Sequence, residues 1–68
     1  MIMNTTTATF ANLDYSNFDQ HMDDAKFLGL KLVSFRVEND VLLNLVLSGN
    51  LPMLKSMMNF VNCKANWK

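Results

Sequence analysis

Several residue types are scarce in this chain, and their scarcity narrows what the protein can be. The sequence has one cysteine (Cys63) and one histidine (His21), which excludes an intramolecular disulfide and a structural zinc site built from one chain. With one proline and two glycines, it is neither a Pro-rich linker nor a collagen-like repeat. Most arrangements of several catalytic groups are also excluded.

Charge of one sign is equally scarce. Six basic residues balance six acidic ones, and Arg36 is the only arginine. Proteins that grip phosphates normally carry a positive excess, so nucleic acid is a disfavoured partner. The longest apolar run, residues 41–47, is interrupted by Asn44 and is much shorter than a membrane span. We therefore expect no membrane partner and, because the opening residues lack the pattern of a signal peptide, a cytoplasmic location.

What the sequence has is apolar content: half of its 68 residues are hydrophobic. This composition excludes an intrinsically disordered chain. The length predicts a single domain, residues 1–68, with a marginal core and a frayed start at residues 1–4.

The first half of the chain predicts a strand and then a helix. Threonine-rich residues 5–12 favour an extended segment. Ser16 and Asp19 match a helix-capping box, and Gly29 suits the left-handed position after a helix end. The stretch between these start and stop signals predicts a helix over residues 16–29.

Residues 30–48 read as a hairpin, for which two registers are possible. A two-residue loop, Asn39-Asp40, mixes apolar and polar side chains on both faces. A three-residue loop, residues 38–40, separates the faces, so we expect that register. It predicts the pairs Val37–Val41, Phe35–Leu43 and Val33–Leu45. It also predicts a second apolar patch on the other face, formed by Leu30, Leu32, Leu42 and Val46.

The last predicted element is a helix from about Leu51 to at least Cys63, started by Asn50 and Pro52. Met53, Phe60 and Trp67 recur every seven residues, which predicts a stripe along one helix edge if the helix continues to the end.

Together these elements predict a small α+β domain with the order β-α-β-β-α. We expect a three-stranded, mainly antiparallel sheet with its third strand in the centre, covered on one face by two helices. In topology alone, this arrangement resembles a ferredoxin-like split β-α-β fold without its last strand.

Two groups of residues could support chemistry, and an ordinary interpretation is favoured for each. His21 and Asp24 lie one helical turn apart and could act as a base and its orienting carboxylate. Cys63 could act as a nucleophile only if His21 lay beside it. A polar helix surface and an unreactive thiol explain the same residues, so we expect no enzyme activity, no metal and no cofactor.

The sequence instead favours a binding protein that assembles as a homodimer. The predicted interface consists of Met53, Phe60, Trp67, Leu30, Leu32, Leu42 and Val46. Phe60 could equally belong to the core, and the first strand could offer a free edge to a symmetry mate. By analogy of type with small accessory proteins of phages or mobile elements, we expect an inhibitor or regulator of a larger macromolecule.

Two other functions remain open. The first is a ligand-sequestering or sensing oligomer whose pocket is lined by Lys31, Arg36 and Asn44. The second and weaker alternative is a nucleic-acid-binding regulator.

Overall fold

A computed structural model describes residues 5–61 and 65–67 of the chain. Its elements in chain order are β1 (Thr6–Asp14), α1 (Phe18–Phe27), β2 (Lys31–Glu38), β3 (Val41–Gly49), α2 (Leu51–Val61) and β4 (Asn66–Trp67). One turn of 3-10 helix, Tyr15–Asn17, joins β1 to α1. The predicted fraying of residues 1–4 lies outside the described residues.

The strands form one antiparallel sheet in the order β2-β3-β1-β4. The predicted α+β class and the central position of β3, antiparallel to both of its neighbours, are confirmed. The sequence did not predict β4, which pairs with β1. With it, the strand order matches the complete ferredoxin-like arrangement rather than one lacking its last strand.

Strand β1 differs from the prediction in length and in position. It continues two residues past Asn12, to Asp14, and it lies between β3 and β4 rather than at the edge of the sheet. Asn12 adopts a positive φ of 58°, which interrupts the regular alternation of side chains. Phe10 and Leu13 are therefore both buried, although they are three positions apart, a spacing that would place them on opposite faces of a regular strand.

The hairpin register predicted from the sequence is wrong. Glu38 pairs with Val41, so the loop is the two residues Asn39 and Asp40, both at positive φ, as in the tight hairpin turns that match strand twist. Irregularities at Val33 in β2 and at Leu43 in β3 shift the pairing.

These bulges explain why face separation favoured the wrong loop. With strict alternation, a two-residue turn would place apolar and polar side chains on both faces of the sheet. The extra residue Leu43 in β3 instead leaves Val37 opposite Leu42 and brings Phe35 opposite Leu45. Residues directly opposite each other share a face of the sheet, so the apolar residues still converge on one side.

The predicted capping box of Ser16 and Asp19 does not start helix α1, whose N-cap residue is Asn17 and makes no side-chain capping hydrogen bond. The side chain of Asp14 instead caps the preceding 3-10 turn: its Oδ1 accepts hydrogen bonds from the Ser16 backbone N–H (3.0 Å) and hydroxyl (2.9 Å). At the other end Gly29 takes the predicted left-handed conformation, with φ 73°.

Helix α2 begins where the sequence predicts, at Leu51. The Asn50 carbonyl accepts from the backbone N–H groups of Met53 and Leu54, each at 3.0 Å. The described helix ends at Val61, and its expected extension to Cys63 lies outside the described residues. Because Trp67 belongs to β4, the helix does not reach the end of the chain and Trp67 cannot complete its stripe.

Both helices pack on one face of the sheet and bury a single core. Helix α1 contacts β2 and α2, whereas α2 contacts β3 and β1. The buried apolar residues are Ala8, Phe10, Leu13, Ala25, Leu30, Leu42, Leu45, Leu47, Leu54 and Met57. The core thus lies between α2 and the central strands of the sheet.

Candidate interaction surface

The outer strand β2 exposes most of its apolar side chains. Leu32 is 44% exposed, Val33 57% and Phe35 48%. Leu32 lies opposite Leu47, and Phe35 lies opposite Leu45. Leu32 and Phe35 are therefore on the helix-covered face, and yet they remain half exposed because the helical layer does not cover this margin of the sheet. We call Leu32, Val33 and Phe35 the β2 edge surface.

An aromatic cluster connects the β2 edge surface with the start of α1. The ring centroids of Phe35 and Phe18 are 4.9 Å apart, and those of Phe18 and Tyr15 are 5.4 Å apart. Both pairs are tilted, an arrangement that aromatic quadrupoles favour. Phe35 is therefore held in place on one side while its other side remains open.

The helices expose further large apolar side chains. Phe60 on α2 is 51% exposed, so it is a surface residue and the core interpretation of this residue is wrong. Phe27, the last residue of α1, is 82% exposed, and Leu51 at the start of α2 is also exposed. Sequence analysis missed Phe27, although it falls off the apolar stripe formed by Phe18, Met22 and Ala25.

The predicted second sheet patch does not form. Leu30 and Leu42 are buried in the core, Leu32 is on the helix-covered face, and Val46 is half buried on the opposite face. The patch assumed strict alternation, which the irregularities in both strands disrupt.

The predicted helix stripe is likewise dispersed. Met53 is half buried against the core, whereas Phe60 is exposed. Trp67 lies in β4, opposite Ala8 of β1. Of the predicted interface residues, Phe60 and Leu32 are exposed large apolar residues.

The structure brings together two of the three residues of the alternative ligand site, Arg36 and Asn44, and separates Lys31 from them. Arg36 lies opposite Asn44 near the turn and binds Glu38, with 3.1 Å between Nη2 and Oε2. Lys31 lies at the other end of the strand. There it lines a shallow cavity of about 200 Å³, whose other walls are Thr5, Gly29, Ser48, Gly49 and Asn50.

His21 is buried rather than presented to a substrate. It is 8% exposed, and its Nδ1 has no hydrogen-bond partner. Burial lowers the pKa of His21 below its usual 6.5, and the nearby Asp24 carboxylate partly opposes this shift. Asp24 accepts a hydrogen bond from Gln20 at 3.1 Å. The imidazole is therefore neutral at pH 7, and its buried nitrogen is not oriented by Asp24.

Cys63 lies outside the described residues. Within residues 5–61 and 65–67, no three histidine, cysteine or acidic residues are grouped as metal ligands would be. In the same part of the chain, no helix has the length and apolar character needed to cross a membrane.

Comparison of the chain with models of protein families gives no match, and comparisons with curated proteins and with solved structures give none either. The exposed surface of the chain itself is therefore the starting point for a functional hypothesis.

Proposed function

We propose that this chain is a small, non-enzymatic binding protein that inhibits or regulates a larger macromolecule and acts as a homo-oligomer. The observation that carries the proposal is the exposure of large apolar side chains, above all Phe60 and Phe27 on the helices. Aromatic residues are enriched at protein interfaces because they remove a large apolar area from water at a small entropic cost.

The polar groups support binding rather than catalysis. His21, the side chain best suited to acid–base chemistry near neutral pH, is buried in α1. Arg36 is held by Glu38 on the sheet. The most exposed large apolar side chains, in contrast, belong to the helices and to β2: Phe27, Val33 and Phe60.

Phe60 offers the most direct test of the proposed partner surface. Tagged wild-type protein would be used to capture a partner, whose affinity is then measured by titration. We expect Phe60→Ala to weaken binding by about 2 kcal/mol, roughly thirtyfold in Kd, because a central aromatic side chain often dominates an interface. Circular dichroism should show that the fold is retained, since Phe60 is half exposed.

Asn59 supplies the matched control. It is exposed, precedes Phe60 in α2, and its replacement by alanine removes polar rather than apolar surface. Asn59→Ala should bind as the wild type does. Equal binding by wild type, Phe60→Ala and Asn59→Ala would contradict the assignment of Phe60.

Native mass spectrometry of freshly purified protein distinguishes the alternative function. A co-purifying small molecule would favour the ligand-sequestering hypothesis. Its retention in Lys31→Ala would then exclude the cavity beside Lys31 as its binding site.

A further inference from the structure

Strand β2 ends the described sheet on one side. In an edge strand, every second residue directs its backbone N–H and C=O away from its single neighbour, which leaves a template for another strand. Natural edges are usually protected by proline, by charged side chains, especially lysine, or by a bulge. Strand β2 has no proline, its lysine, Lys31, is at its first residue, and the charge of Arg36 is paired with that of Glu38 in the same strand. The bulge at Val33 leaves the following residues regular as far as Arg36.

We propose that β2 pairs antiparallel with β2 of a second copy of this chain, around a two-fold axis at Phe35. The two sheets would then form one continuous sheet across the interface. This inference rests on the homo-oligomeric state in the proposed function and identifies the surface that forms it. It takes the place of the first strand, whose outer side pairs with β4 at Ala8 and Thr9, as the site of self-association.

Side-chain matching selects this register. With Phe35 on the axis, the two Phe35 rings lie opposite each other, and Ser34 lies opposite the second copy's Arg36. The exposed half of Phe35 is then covered, and the cluster of Phe35, Phe18 and Tyr15 meets its own counterpart across the axis. A shift of the axis to Arg36 would place two arginines directly opposite each other, which is unfavourable.

Charge also favours a second copy over an oppositely charged partner. The guanidinium of Arg36 is already paired with the carboxylate of Glu38 in the same strand. The formal net charge of the chain is zero, so two copies do not repel each other at long range. A small chain with a marginal core also gains stability from association. A second copy of β2 can therefore pair with the backbone groups of this edge without any complementary charge.

Sedimentation velocity over a range of micromolar concentrations tests the interface with Val33→Lys. Val33 is exposed at the edge, so lysine there should leave the fold intact while it places charge against the second strand. We expect a wild-type dimer and a Val33→Lys dimer that dissociates about tenfold or more readily. Asn59→Lys adds the same charge on α2 and should remain as dimeric as the wild type.

Disulfide trapping tests the register. In a Cys63→Ser background, Ser34→Cys and Arg36→Cys are prepared as separate proteins and then mixed under mild oxidation. Directly opposed residues are about 4.5–5.5 Å apart between Cα atoms, within the range of a disulfide, whereas diagonal positions are about 7–8 Å apart. The mixture should therefore form cross-linked heterodimers faster than either variant forms homodimers.

Three results would overturn the inference: a monomeric wild type throughout the concentration range, an unchanged dimer in Val33→Lys, or no preference for the mixed cross-link. The binding function would survive these results if a partner still discriminated between wild type and Phe60→Ala. Conversely, an edge-paired dimer without any partner would leave the inference intact and remove the proposed function.

Discussion

Strands β2 and β3 are consecutive and both rich in apolar residues, but they have opposite environments. In β3, Leu42, Leu45 and Leu47 are completely buried. In β2, the partners of Leu47 and Leu45, which are Leu32 and Phe35, are about half exposed. The difference arises from position: β3 has a strand on each side and lies beneath α2, whereas β2 has one neighbour among the described strands and partial cover from α1. Apolar content thus predicts burial only where the fold supplies cover.

The largest expected effect is a difference in stability between the two strands. Leu45→Ala should lower the free energy of unfolding by about 2–5 kcal/mol, because it leaves a cavity in a close-packed core. Leu32→Ala should lower it by less, since much of that side chain remains in water when the protein folds. Urea denaturation at low protein concentration measures both values. Equal losses would show that the β2 margin is packed as tightly as the core.

A smaller effect concerns how β2 is attached to the helical layer. The Phe18–Phe35 contact should contribute a coupling energy of about 0.5–1.5 kcal/mol in a double-mutant cycle with alanine. Ser34, exposed beside Phe35, supplies the control: a Phe18–Ser34 cycle should give a coupling near zero. Without coupling between the two rings, the aromatic cluster would not hold the edge in place.

A substitution in the turn between the two strands should raise the stability of the protein modestly. Asp40 has a positive φ of 63°, a conformation that glycine adopts without steric cost. Asp40→Gly should therefore stabilise the protein by about 1 kcal/mol or less, because relief of the left-handed conformation, about 1–2 kcal/mol, outweighs the greater freedom of glycine in the unfolded chain. Asp40→Val should destabilise it, because a branched side chain opposes this conformation. Thermal unfolding of the three proteins should rank them as Gly, Asp, Val.

The smallest expected change is a dependence of stability on pH through His21. Burial lowers the folded-state pKa below 6.5, so the unfolded chain binds the proton more tightly. Stability should be fully present above pH 6.5 and should fall as the pH decreases from there toward the folded-state pKa. The Asp24 carboxylate limits the loss, because it opposes the shift.

His21→Leu should abolish this slope between pH 7.5 and pH 5. Asp14 does not obscure the measurement: hydrogen bonds from Ser16 lower its pKa below 3.8, so its contribution is lost only in more acidic solution. A His21→Leu variant with the wild-type pH profile would mean that another group titrates.

Sequence reasoning predicted much of this fold because its local signals agree. Gly29 ends α1, Asn50 and Pro52 begin α2, and the apolar residues of β3 indicate a central strand. The register could not be predicted, because the bulges at Val33 and Leu43 leave no local signal and strict alternation favours the wrong loop. Strand β4 is too short for a periodic pattern.

The candidate surface was less predictable than the fold. Phe60 was identified because it recurs seven residues after Met53 along one edge of its helix, and it is exposed. Val33 and Phe35 were assigned to a covered face, since the sequence does not reveal how far a helical layer extends across a sheet. Leu30 and Leu42 were placed on an open face because the sequence does not reveal the bulges that change the alternation of side chains.

Amide hydrogen exchange at low and high protein concentration tests the central claim most directly, because it compares β2 with β3 in one experiment. The account predicts that protection of β2 amides rises with concentration in the wild type and not in Val33→Lys, while β3 amides are strongly protected throughout. Protection of β2 that is independent of concentration and identical in the two proteins would contradict pairing at this edge.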